Sequence, residues 1–116
     1  MTELSEQKCT ACRPGSPRVD PQEVELLLAQ IPTWQVVEEQ GIQKLTRRFH
    51  TQNYQNTMRL VNQIAELANT EDHHPTLLVE YGAVTVWWWT HAIGGLHRND
   101  FILAARTDKL LDQRQE

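Results

Sequence analysis

Between residues 51 and 69 apolar side chains recur at helical spacing, and on each side of that stretch lie two short β-prone runs interrupted by a glycine. No other feature of the chain limits its fold as much. Tyr54, Met58, Val61, Ala65 and Ala68, joined by Leu60, Ile64 and Leu67, predict a long helix with a wide buried face. Ahead of it, residues 34–38 and 42–49 flank Glu39-Gln40-Gly41, which reads as a hairpin turn. Behind it, residues 77–81 and 83–90 flank Gly82 as a second strand pair. Asp20-Pro21-Gln22-Glu23 resembles a capping box with proline at the first helical position. Val24, Leu27, Leu28 and Ile31 continue that first helix until Pro32 stops it. Gly94-Gly95 breaks the chain, and residues 99–111 read as a last helix. The order α-β-β-α-β-β-α predicts an α+β domain, an antiparallel sheet with the helices on one face.

A chain of 116 residues with 40% hydrophobic content suffices for one core without disulfides. We read residues 1–18 as a flexible tail and 19–113 as a single domain. A formal charge of -4, a pI near 5.7 and scattered basic residues argue against a nucleic-acid groove. The polar N-terminus is no signal peptide, and no apolar run reaches the length of a membrane span, so the expected location is the cytoplasm. Cys9 and Cys12 have CxxC spacing, but a zinc ribbon needs a second such pair and a redox motif needs a helix start. Their flanks read as loop, so they are expected to be reduced, non-catalytic thiols.

The chemistry concentrates in Glu71-Asp72-His73-His74-Pro75, then Thr90-His91, then Asp100. Imidazole gives and takes protons near neutral pH, so histidines gathered at the ends of regular elements point to proton transfer or to metal. The C-terminal end of the long helix favours imidazolium, which helps a general acid and hinders a metal ligand. Pro75 biases His74 towards extended backbone, so the two neighbouring side chains should diverge. The bland alternative is that both histidines merely cap carbonyls. His91 ends a strand just before the glycine pair, and His50 and His97 are expected to be solvated or capping. Asp100 falls in the first turn of the last helix, where the dipole stabilises a carboxylate. Strand alternation places Val84, Val86 and Trp88 on one face and Thr85, Trp87, Trp89 and His91 on the other. The first set should pack under the helices, with Trp87 more exposed and Trp89 beside His91.

Taken together, Glu71-Asp72-His73-His74-Pro75, Tyr81, Val84-Thr85-Val86, Thr90-His91, Gly95-Leu96 and Asp100 resemble the pterin-4a-carbinolamine dehydratase family. The stretch 90–102 is similar to the bacterial members that accompany phenylalanine hydroxylase, and Trp34 matches the family's tryptophan after the first helix. The resemblance runs from about Val19 to Leu111. It implies a four-stranded antiparallel sheet with three helices on one face. It implies dehydration of 4a-hydroxytetrahydropterin to quinonoid dihydropterin, a step in recycling the hydroxylase's cofactor, by a homodimer or homotetramer without metal or cofactor. It implies His73, His74 and His91 as catalytic residues, with His74, Trp34, Asp100 and Trp89 at the substrate. One position departs: the family usually has an acidic residue four before the first histidine, and Asn69 stands there. Glu71 and Asp72 are the nearby carboxylates that could replace its charge.

Two other classes compete with this reading. A metal-dependent hydrolase could use His73, His74 and His91 as ligands. A non-enzymatic interaction module is the other, since animal members of the resembled family double as dimerisation cofactors for a transcription factor.

Overall fold

The computed structural model describes residues 3–7, 9 and 17–114; Cys12, with the other residues of 10–16, lies outside them. The elements are α1 (Pro21–Leu28), β1 (Gln35–Glu39), β2 (Ile42–His50), α2 (Tyr54–Glu71), β3 (Thr76–Glu80), β4 (Ala83–Trp88) and α3 (Arg98–Arg114). All pairings are antiparallel, and the strand order is β1-β2-β4-β3. This is the expected α+β architecture, with the three helices on one face of a four-stranded sheet.

Local chemistry explains the boundaries. Asp20 accepts the Glu23 N–H at 2.8 Å and Pro21 opens α1, but the other half of the capping box does not form. The Glu23 carboxylate instead receives Arg98 Nη1 at 3.1 Å. The long helix begins later than periodicity suggests because Asn53 caps it, accepting the Asn56 N–H at 2.8 Å. Gln40 and Gly41 both take positive φ, 53° and 79°, which gives the β1–β2 hairpin a tight turn matched to the twist of its strands.

Parity along the strands is as expected. Val84, Val86 and Trp88 are fully buried together with Leu45, Phe49 and the helical residues Leu60, Ile64 and Phe101. Thr85 and Trp87 lie on the opposite, half-exposed side of β4. The buried stripe of α2 is narrower than predicted: Thr57, Leu60, Ile64 and Ala68 are buried, whereas Tyr54 and Ala65 are exposed. A helix lying on a flat sheet buries one stripe, and the margins of its apolar face stay half-covered. Trp88 adds a polar tether, its indole N–H donating to Thr107 Oγ1 on α3 at 3.1 Å.

Part of the presumed tail is built into the domain. Residues Leu4–Glu6 form a 3₁₀ turn against α3, and Leu4 enters the core at 2% exposure. Arg106 of α3 holds this segment by donating to the Ser5 and Gln7 carbonyls, and Arg98 donates to Gln7 Oε1 at 3.0 Å. One leucine in a polar stretch is too weak a periodic signal to reveal such a contact. Cys9, a free thiol, lies half-buried beside Glu71 and Arg106, and burial with the nearby Glu71 carboxylate pushes its pKa up to about 12. It therefore stays protonated and a poor nucleophile at neutral pH.

The burial contrast sets a stability test. Trp88→Ala should cost about 3–5 kcal/mol in denaturant melts, as for other fully buried large side chains, and Trp87→Ala much less. The reverse ranking would contradict the register of β4.

Candidate active site

The chain turns sharply where α2 ends. Asp72 adopts the left-handed conformation (φ 50°), its N–H reaches Asn69 O, and the His73 N–H bonds back to Ala68 O at 3.1 Å. Those two bonds form a Schellman motif, which satisfies the last helical carbonyls and reverses the chain. His73 and His74 leave this turn in different directions. His73 points inward with its side chain only 10% exposed, whereas His74 is exposed and reaches back over the helix.

Inside the turn, His73 Nε2 lies 2.9 Å from Asp100 Oδ1 and 3.1 Å from the Trp89 carbonyl oxygen. Both neighbours are acceptors, so Nε2 carries the hydrogen and donates to them. Asp100 has no solvent exposure and its second oxygen accepts Thr90 Oγ1 at 2.8 Å and the His97 N–H at 2.9 Å. The His97 side chain also caps α3, its ring Nδ1 accepting the Asn99 N–H at 3.0 Å. Burial alone would lower the pKa of His73; the hydrogen bond and charge of Asp100, with the Trp89 carbonyl and Asp72, outweigh it and raise the pKa above the ordinary 6.5.

On the outer side, His74 Nε2 is 3.0 Å from Asn69 Oδ1. An amide oxygen only accepts, so this contact again puts the hydrogen on Nε2 and leaves Nδ1 as the basic nitrogen. Asn69 thus contacts the histidine directly, without a charge. Glu71 does not replace the usual acid, since its carboxylate pairs with Arg106 Nη1 at 2.9 Å. His91 opens a 3₁₀ turn (His91–Ile93) and is exposed, its ring 4.5 Å from that of Trp89. Arg18 pins that loop by donating to Ile93 O at 2.9 Å while lying against Gly95, where a Cβ would meet Nε at 3.1 Å. His73 and His91 therefore meet at one residue, the first through the Trp89 carbonyl and the second through its ring.

Two residues expected at the substrate are turned into the protein interior. Trp34 is 2% exposed, packs edge-on against Phe49 at 5.8 Å and donates its indole N–H to Asp108 at 2.9 Å, so its packing is that of a core residue. Asp100 is sealed from solvent and faces His73. His97, expected to be solvated or capping, serves as a cap. Thr90 and Asn69 were not singled out as partners, because neither residue type is distinctive until the fold brings it to a histidine. Among the described residues no group of three or more His, Cys, Asp or Glu side chains converges as a metal site.

A family model described as pterin 4 alpha carbinolamine dehydratase matches residues 17–110. The chain belongs to this family. Proteins of Saccharophagus degradans and Gloeobacter violaceus, each provisionally named a pterin-4-alpha-carbinolamine dehydratase, are 46% and 49% identical. Their matches cover 97% and 95% of this chain and 99% and 95% of theirs. A Nitrosococcus oceani protein of the same provisional name is 47% identical over 96% of this chain and 98% of its own. A crystal structure of a transcriptional coactivator/pterin dehydratase from Brucella melitensis superposes with a TM-score of 0.75 at 26% identity, covering 81% of this chain and 98% of that one. The segment Leu4–Glu6 of this dehydratase-family chain lies before the residues that the family model matches.

The raised pKa of His73 carries a sign. The folded protein holds that proton more tightly than the unfolded chain, so the added stability is complete below the unfolded histidine pKa and is lost as pH rises through the folded one. Urea melts from acidic to alkaline pH should show this decline in the wild type and a flatter dependence in Asp100→Asn. An Asp100→Asn profile parallel to wild type would show that this carboxylate does not hold the His73 proton.

Proposed function

We propose that the protein dehydrates 4a-hydroxytetrahydropterin to quinonoid dihydropterin by histidine acid–base catalysis. The observation that carries the mechanism is the buried carboxylate of Asp100 on His73 Nε2, 2.9 Å away. Loss of the 4a-hydroxyl requires a proton on the leaving oxygen and removal of the proton on N5. With Nε2 engaged by Asp100, a protonated His73 offers its proton from Nδ1, and the carboxylate stabilises the imidazolium until transfer. His91, exposed and held against Trp89, is the second acid near the hydroxyl. His74 binds the pterin, and its Nδ1, left basic by the Asn69 contact, is the candidate acceptor for the N5 proton. Asp100 acts through His73, Trp89 through His91, and Trp34 through the core.

The high identity to dehydratase relatives over nearly the full chain supports this substrate class. We place the reaction in the cytoplasm, in recycling the cofactor of phenylalanine hydroxylase, with the protein as a homodimer or homotetramer. No helix among the described residues is long and apolar enough to cross a membrane. A second reading, an interaction module, rests on the double name of the Brucella relative, transcriptional coactivator/pterin dehydratase.

Turnover separates the two. The protein should accelerate carbinolamine decay, and His74→Ala should lose about 10²–10⁴ of that acceleration while remaining folded, the span typical of a proton-transfer group. No acceleration by wild type would favour the interaction module, and a folded His74→Ala protein at full rate would remove His74 from the mechanism. Activity should also survive exhaustive chelation. Loss on chelation with recovery on adding zinc alone would bring back the hydrolase.

A further inference from the structure

Lys44 is the one cation stacked on the aromatic platform beneath His91 among the described residues. Its place follows from register. The last pair of the β2–β4 ladder is Leu45 with Trp88, both buried, so one step further along brings Lys44 opposite Trp89 on the other parity. There the ammonium lies 4.2 Å from the centroid of the Trp89 ring. Glu39, at the end of the β1–β2 hairpin, holds the same nitrogen at 3.0 Å and sets its approach. The Lys44 side chain is only 16% exposed, so the contact is largely shielded from water, where attraction between a cation and an indole face is strongest. Trp89 retains 9% exposure, and its ring is also what His91 rests on, at 4.5 Å and 38°. Its backbone is committed as well, since its carbonyl accepts from His73.

We infer that Lys44 is a positioning residue for the dehydration: by clamping the Trp89 indole it holds His91 in its working orientation. This rests on the reading of His91 as a proton-transfer group. His91 itself sits exposed on a short turn, so its ring orientation depends on whatever plane it stacks against. A clamp formed between β2 and the end of β4 ties that plane to the sheet. The hairpin thereby acts on the reaction through Trp89.

The test uses the full chain and steady-state dehydration kinetics. Lys44→Met keeps the aliphatic stem and removes the charge. It should lower kcat about five-fold with KM essentially unchanged, the factor expected for one partly desolvated cation–π contact. Lys44→Arg, whose guanidinium stacks on indole, should recover most of the rate. On a His91→Ala background Lys44→Met should cost nothing further, because the two changes act through one group. By NMR, the ring-current displacement of the His91 resonances should shrink in Lys44→Met and persist in Lys44→Arg, a readout independent of turnover. An unchanged kcat in Lys44→Met, a rise in KM instead, a failure of arginine to rescue, or an undiminished loss on the His91→Ala background would each overturn the proposal while leaving the reading of His91 intact. A fully active His91→Ala protein would overturn both.

Discussion

A carboxylate sealed from solvent must collect hydrogen-bond donors or give up its charge, and Asp100 collects them from three parts of the chain. His73 comes from the turn after α2, Thr90 from the end of β4, and the His97 N–H from the start of α3. Each of those segments ends or begins a regular element at that point. One buried anion therefore fixes the helix ends, the strand end and the orientation of the inner histidine together. Replacing any one donor would leave lone pairs unsatisfied in the interior, at a cost of about 1–3 kcal/mol. The site and the fold share this constraint.

The same bond determines what His73 can do. A histidine that donates Nε2–H to an anion is oriented, held in one tautomer and favoured as the cation, while its other nitrogen remains for chemistry. His74, one residue later, meets a neutral amide oxygen. That contact orients the ring and selects the same tautomer. Two adjacent residues of one type thus become unlike through their partners, a carboxylate for the inner one and an amide for the outer.

The architecture was legible because its signals are periodic. Apolar spacing gave the long helix, and alternation in β4 placed Trp88 in the core and Trp89 beside His91. Pro75 announced the divergence of the two histidines, and of the two roles open to His97, solvated or capping, the structure shows the cap. What escaped notice depends on contacts between distant residues of unremarkable type. Asp100 read as a helix-end acid near the substrate, and only the fold shows that it faces His73. Trp34 matched a family position, and its burial on Asp108 could not be inferred from that match. Lys44 on a strand is normally a solubilising residue, and its approach to Trp89 exists only once the ladder of β2 and β4 is registered.

The N-terminal segment shows how such distant contacts reach the turn that carries the histidines. Arg106 lies on α3, well beyond Asp100, and binds the backbone of Ser5 and Gln7 while its guanidinium also pairs with Glu71. Glu71 is the last residue of α2, directly before the left-handed Asp72 that turns the chain into His73. A guanidinium has five N–H groups in a fixed planar fork, which suits it to hold the N-terminal segment and Glu71 at once. Leu4, buried in the core, supplies the apolar contact that holds the segment down. The strap thus adds no group to the chemistry. Arg106 ties the last residue of α2 to α3 through Glu71, a second link between the two helices beside the bond between His73 and Asp100.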